Sequence, residues 1–347
     1  MNTDPPVNRR TTALGFQTND EHPIITYSRN VFLPLTFVCR NTCGYCTFRR
    51  PVGPDSLLQP AEVEEILSLG EKTGCTEALF TFGERPEEVD GFSPLLQRRG
   101  YATILEYCRA MSTAAIAHGM LPHTNAGVMT AEEMEMLRPL NASMGLMLET
   151  TAEIPAHRNC PGKAPEVRIA MIEEAGRLKI PFTTGILVGI GESREDRAES
   201  LRVIADLHHR YDHIQEIIIQ NFCPKPGTLM AAYPGAETAT MQDTVRMADE
   251  ILPAGIAIQI PPNLADARSI LPCGVTDLGG VSPVTRDYVN PEHPWPELGE
   301  LRRLTSGYSL RERLCIYPKY IRRGWYPPGL KDCIIRLENR ISERGTA

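Results

Sequence analysis

From residue 30 onward, short apolar runs alternate with longer stretches whose apolar positions recur at helical offsets, the pattern of repeated βα units. The predicted strands are 31–35, 78–82, 121–124, 143–148, 182–188, 216–220, 257–260 and 275–278. Between them, Val63, Ile66, Leu67 and Gly70 mark one helix, and Ile104, Leu105, Cys108 and Met111 a second. Val167, Ala170, Met171 and Leu178 mark a third, and a further helix is expected near 241–251. Thr130-Ala131-Glu132-Glu133 reads as a capping box that opens another, the Thr hydroxyl and the Glu carboxylate each satisfying a free backbone N–H. Eight strands with intervening helices predict a (β/α)8 TIM-type barrel, which needs about 250 residues. The barrel is expected over 25–295, with an N-terminal lead, 1–24, and a C-terminal helical tail, 296–347, packed on it. A doubly wound parallel sheet shares the local pattern and is the alternative. The loop-rich stretch 283–296 is read as a cover for an active site.

Composition narrows the class. The chain has 347 residues, 42% hydrophobic and 23% charged, as expected of a globular protein. A formal charge of -7 and the lack of a Lys/Arg stripe argue against nucleic acid as a partner. The first 15 residues have no apolar core of a secretory signal, and the longest apolar runs are too short to span a bilayer, so a cytoplasmic protein is expected. Most of the ten cysteines stand singly, as buried thiols in a reducing compartment do. His208 and His209 fall mid-helix and are expected at the surface.

Three cysteines are not scattered. Cys39, Cys43 and Cys46 are separated by three and two residues. Three thiolates on one short loop suit three irons of a 4Fe-4S cluster, and no fourth cysteine follows at a ferredoxin-like distance, so one iron is left open. A structural zinc site would need a second ligand pair, and none with finger-like spacing follows. In a parallel barrel the loops after the strands carry the chemistry, and the cysteine loop follows the first strand. Phe82-Gly83-Glu84, His123-Thr124-Asn125, Glu149-Thr150, Gly189-Ile190-Gly191-Glu192 and Gln220-Asn221 follow later strands and should share the same mouth. Gly189 and Gly191 do not make a dinucleotide loop, because Arg194 stands where the third glycine is needed. His123 is read either as a site residue or as a satisfied core histidine.

Cys39-x3-Cys43-x2-Cys46, with Tyr45 before the last cysteine, resembles the signature of the radical S-adenosylmethionine (SAM) superfamily. The resemblance implies a TIM-type barrel of that kind, with one 4Fe-4S cluster per chain on the three cysteines and SAM on the open iron. It also implies contacts to SAM: Tyr45 beside the cluster, Gly83 and Glu84 at the SAM amino group, and Glu149 at the ribose. Arg168 would face the SAM carboxylate, and Gly189 and Glu192, in Gly185-x-Leu187-x-Gly189-x-x-Glu192, would lie near the adenine. Segments 25–30, 43–51 and 280–291 are similar to a deazaflavin-forming branch of the superfamily in which two radical SAM subunits act in turn. That likeness implies a lyase that closes a deazaflavin ring with loss of ammonia. It further implies a separate radical SAM protein that supplies the substrate and an electron donor such as ferredoxin or flavodoxin. His123, Asn125, Asn221, Ser282, Thr285 and Asp287 are the expected substrate contacts. The alternatives are a biotin synthase-like radical SAM enzyme with another small substrate, and an electron carrier, which would need four protein ligands.

Overall fold

The computed structural model describes residues 6–17 and 22–345. Of the expected lead, 1–5 and 18–21 lie outside the described residues. Eight parallel strands close on themselves: β1 (Ile24–Leu33), β2 (Glu77–Thr81), β3 (Leu121–Asn125), β4 (Ser143–Gly145), β5 (Phe182–Val188), β6 (Ile214–Asn221), β7 (Ala257–Gln259) and β8 (Asp277–Val281). β1 pairs with both β2 and β8, which makes the sheet a barrel and excludes the doubly wound alternative. All seven residues of β5, Phe-Thr-Thr-Gly-Ile-Leu-Val, are buried, as in a strand covered by helices outside and side chains inside.

The helices form where the periodicity places them. Pro60–Thr73 buries Val63, Leu67 and Gly70. Ile104–Ala117 buries Ile104, Leu105, Cys108 and Met111. The capping box at Thr130 is present, with Glu133 N–H donating to the Thr130 hydroxyl at 3.3 Å and Thr130 N–H to the Glu133 carboxylate at 2.8 Å. His208 departs from expectation. It is buried and lies 2.8 Å from Asp212, whereas His209 is exposed.

β1 begins seven residues before the expected strand, at Ile24 rather than 31. Its early inward positions are polar: the Thr26 hydroxyl donates to Asp277, and the Ser28 hydroxyl to Glu77 at 2.5 Å. The C-terminal segment supplies what this polar interior needs. β9 (Ser309–Glu312) pairs with the outer part of β1, and the chain then turns under the barrel. Arg313 donates to Asp277 at 2.6 Å and to Glu216 at 2.5 Å, and the Tyr317 hydroxyl lies 2.9 Å from both carboxylates. Ser143 and Gln215 both donate to the Cys315 carbonyl at 2.8 Å. The barrel floor is therefore an ionic and polar layer of strand residues, closed by Arg313 and Tyr317 from the segment expected as a helical tail packed on the barrel. The final helix, Lys331–Gly345, follows it. At the other terminus, Arg10 is fully buried and caps the end of helix Thr238–Ile251. It donates to Asp249 at 2.7 Å and to the carbonyls of Leu252 and Pro253.

Glu77 sits in this floor, and burial raises its pKa to about 7. A carboxyl that holds its proton more tightly when folded destabilises the native state as the pH climbs from the unfolded value near 4.5 to about 7. Stability should fall by up to about 3 kcal/mol across that window and level off above it. Glu77→Gln should flatten this part of the curve, as denaturant titrations at pH 5 and pH 8 would show; equal slopes in both proteins would contradict it.

Candidate active site

The cysteine loop leaves the end of β1 and is held on two sides. Gly83 N–H donates to the Thr36 carbonyl at 2.9 Å, Arg40 N–H to the Glu84 carbonyl at 2.9 Å, and Glu84 N–H to the Cys39 sulfur at 3.3 Å. On the far side, Gly44 N–H donates to the Ala156 carbonyl at 2.8 Å. Gly83 is needed for this approach, because a Cβ there would lie 1.9 Å from the Val38 carbonyl oxygen. All three cysteines are partly exposed and line a cavity of about 320 Å³, together with Tyr45, Gly83, Glu84, Asn125, Glu149, Arg168 and Asn221. Three thiols on one loop that line a single cavity suit a cluster that takes one thiolate per iron.

Glu84 is 4% exposed and lies against the backbones of Gly127 and Gly162, where any Cβ would collide with its carboxylate. Arg40 donates to it at 2.9 Å and Val128 N–H at 3.1 Å. Burial alone would raise its pKa, but Arg168, the Val128 N–H, Asn41 and Arg40 outweigh that and hold it below the ordinary range. Arg168, at 3% exposure, faces the cavity. Its Nε donates to the Gly162 carbonyl at 2.7 Å and its Nη1 to the Met147 carbonyl, while Nη2 stands 3.8 Å from Glu84.

Glu149 has a φ of 67°, left-handed for a non-glycine residue. The strain is held by β5: Glu149 N–H donates to the Gly185 carbonyl and Leu187 N–H to the Glu149 carbonyl, both at 3.0 Å. Its carboxylate accepts from Lys163. Burial opposes ionisation here too, but Lys163 and Arg168 bring the pKa below the ordinary value. The Tyr45 hydroxyl lies 3.0 Å from His157, and burial raises its pKa well above that of a free phenol.

The remaining expected site residues divide between this cavity, an adjoining inner one and positions outside both. The Glu192 carboxylate accepts from Gly189 N–H and Ile190 N–H at 2.8 Å and from Arg197 at 2.9 Å. It shapes the turn after β5, and neither it nor Gly189 lines the cavity. His123, Asn125 and Asp287 line a second, inner cavity of about 170 Å³ that adjoins the first; Thr81, Asn125, Ile218, Gln220, Val289 and Asn290 belong to both walls. The His123 Nδ1 lies 2.7 Å from the Ser143 hydroxyl, and burial, helped by Arg313, lowers its pKa to about 3, so the ring is neutral. Asn221 donates to the Leu264 carbonyl at 2.8 Å, and its Oδ1 has no partner among the described residues. Ser282 and Thr285 line neither cavity. Their hydroxyls lie 2.7 Å apart, and that of Thr285 accepts from Phe32 N–H, so both are used to fasten their loop to the end of β1. Loop 283–296 does cover the site through Val289 and Asn290, and the Lys225 ammonium donates to the Val289 carbonyl at 2.8 Å.

Lys163 and Cys160 carried no signal in the sequence pattern. Both lie on the link between β4 and helix Pro165–Arg177, which folds back over the cysteine loop. Cys160 is a hydrogen-bond neighbour of Cys43, but it is buried and does not line the cavity.

The comparisons agree with this geometry. Residues 33–204 match the Radical SAM superfamily. The chain is 60% identical over 327 residues, 94% of its length and 99% of the relative's, to 7,8-didemethyl-8-hydroxy-5-deazariboflavin synthase of Methanoregula boonei. It is 62% identical over 324 residues, 93% of its length and 97% of the relative's, to the enzyme of the same name from Methanoculleus marisnigri. Among solved structures, the FeFe-hydrogenase maturase HydG from Carboxydothermus hydrogenoformans superimposes with a TM-score of 0.66 at 16% identity, over 90% of this chain and 77% of that one. Methylornithine synthase superimposes with a TM-score of 0.58 at 16% identity, over 96% and 92%. At such identities these two speak for the barrel alone. With a three-cysteine loop at the barrel mouth and end-to-end likeness to its relatives, the chain belongs to the radical SAM superfamily and, within it, to the 7,8-didemethyl-8-hydroxy-5-deazariboflavin synthase family.

Proposed function

We propose that the chain is a radical SAM lyase that converts 5-amino-5-(4-hydroxybenzyl)-6-(D-ribitylimino)-5,6-dihydrouracil to 7,8-didemethyl-8-hydroxy-5-deazariboflavin, releasing ammonia, 5'-deoxyadenosine and methionine. The observation that carries the reading is the joined pair of cavities, one lined by the three cysteines and the other by polar barrel residues. Cys39, Cys43 and Cys46 would hold a 4Fe-4S cluster, and Glu84, Glu149 and Arg168 would hold SAM. When bound, cluster and SAM supply the hydrogen-abstracting 5'-deoxyadenosyl radical that no side chain can provide.

The protein's own part is to bind, orient and exclude water. Glu84, ionised by its cationic neighbours, is suited to the SAM ammonium, and the Arg168 Nη2 to its carboxylate. Glu149, held by β5, presents acceptors to ribose hydroxyls. Loop 283–296 and Lys225 close the mouth, which keeps the intended C–H donor next to the radical and water away from it. The adduct would come from a second radical SAM protein, and single electrons from a donor such as ferredoxin or flavodoxin. No described helix is long and apolar enough to cross a membrane.

An adduct deuterated at its non-exchangeable carbons tests the reaction. Deuterium should appear in 5'-deoxyadenosine as deazaflavin forms, read by mass spectrometry. Deazaflavin formed without deuterium transfer would overturn the proposal.

A further inference from the structure

The inner cavity is lined by a carboxamide that the protein leaves without a partner among the described residues. Asn30, on β1, is 1% exposed, and among the described residues neither its Oδ1 nor its Nδ2 meets a hydrogen-bond partner. Buried polar groups are paired almost without exception, so a carboxamide with both ends unpaired beside a cavity marks a place where a ligand completes the bonding. Gln259, at the end of β7, lines the same wall. Consecutive glycines at the end of β8 make room for both groups. A Cβ on Gly280 would lie 2.2 Å from the Asn30 Nδ2, and one on Gly279, whose φ is +72°, would lie 2.1 Å from the Gln259 Nε2. The Trp295 Nε1, on the same cavity, is likewise unpaired among the described residues.

The charged groups there are already engaged. Arg313, the cation of this wall, is bound by Asp277 and Glu216, Glu77 accepts from Ser28, and Asp287 accepts from the N–H groups of Val289 and Asn290. Among the described residues a carboxylate or phosphate would therefore find no free cation in the inner cavity. A neutral ligand that offers donors and acceptors side by side fits it.

Resting on the reaction proposed above, we propose that Asn30 and Gln259 are specificity-determining residues that pair with the imide edge of the dihydrouracil ring. A carboxamide presents one N–H and one C=O in the spacing of an amide edge, and the imide N–H flanked by two carbonyls offers the complement. The ring is held toward the barrel floor, and the rest of the adduct extends to the cysteine-lined cavity past the wall residues that the two share.

The test uses the cluster-loaded full chain with SAM, the adduct, and an adduct methylated on its imide nitrogen. Asn30→Leu and Gln259→Leu keep similar size but remove the amide. Each should raise KM for the adduct about 10- to 100-fold while KM for SAM moves by less than about twofold. Methylation should weaken the wild-type enzyme by a similar factor and the two variants much less, the signature of a shared contact. Gln259→Leu carries the test alone if Asn30→Leu fails to hold its cluster. Unchanged KM for the adduct in the folded variants, or an undiminished methylation effect, removes this assignment while leaving the reaction intact. A wild-type chain that forms no deazaflavin removes the reaction and this assignment with it.

Discussion

Cys43→Ala yields a folded chain that retains no 4Fe-4S cluster and releases 5'-deoxyadenosine at least about 1,000-fold more slowly than the wild type, a barrier increase of roughly 4 kcal/mol. The loop itself should survive, because its anchors are backbone groups: Gly44 N–H on Ala156, Arg40 N–H on Glu84 and Gly83 N–H on Thr36. What is lost is one of three thiolates that face the cavity. The contrast variant is Cys160→Ala. Cys160 is a hydrogen-bond neighbour of Cys43 but does not line the cavity, so its removal should leave iron and sulfide content as in the wild type. Iron and sulfide analysis with chromatographic 5'-deoxyadenosine measurement distinguishes the two. A cluster that needed Cys160 as well would have four protein ligands and no open iron, which is the electron-carrier reading.

Glu84→Ala is expected to damage stability and SAM binding together. Glu84 compensates Arg40 and the nearly buried Arg168, and deleting one member of a buried ionic group leaves charge uncompensated at a cost of about 3 kcal/mol, near the low end for such sites. The low end applies because Arg40 is partly exposed and keeps Glu88 as a partner at 3.0 Å. Loss of a charge-assisted contact to the SAM ammonium should raise KM for SAM by about 10- to 100-fold. Glu84→Gln separates the two effects, since it fills the same space between Gly127 and Gly162 without the charge. Chemical denaturation and SAM titration of both variants check this. A Glu84→Gln protein with wild-type affinity for SAM would exclude the carboxylate as an anchor.

Much of the barrel was legible because strands covered on both faces are written as apolar runs, as in β5 and β6. The first half of β1 was not, and the reason is chemical. Thr26, Ser28 and Asn30 point into a polar barrel floor, so the strand reads as a loop until its partners are known. Those partners include Asp277 and Glu77, 251 and 49 residues away, and the floor is closed by Arg313, which reaches Glu216 across 97 residues. No local pattern announces such a contact. The site shows the same division. The cysteines, Glu84, Glu149 and Arg168 meet at one cavity because each sits on or next to the loop that follows a strand. Ser282, Thr285 and Glu192 have the right chemistry at strand ends, but they use it on neighbouring backbone or on one another, the usual competition between local and ligand hydrogen bonds. Lys163 reaches Glu149 only through the fold of the link after β4.

The central claim is that the cysteine-lined cavity serves formation of a deazaflavin. The most direct measurement is one anaerobic reaction containing the chain reconstituted with iron and sulfide, a reductant, SAM and the hydroxybenzyl-ribityl-dihydrouracil adduct. The prediction is deazaflavin fluorescence that rises together with 5'-deoxyadenosine and depends on both SAM and adduct. Formation of 5'-deoxyadenosine with no deazaflavin would contradict it.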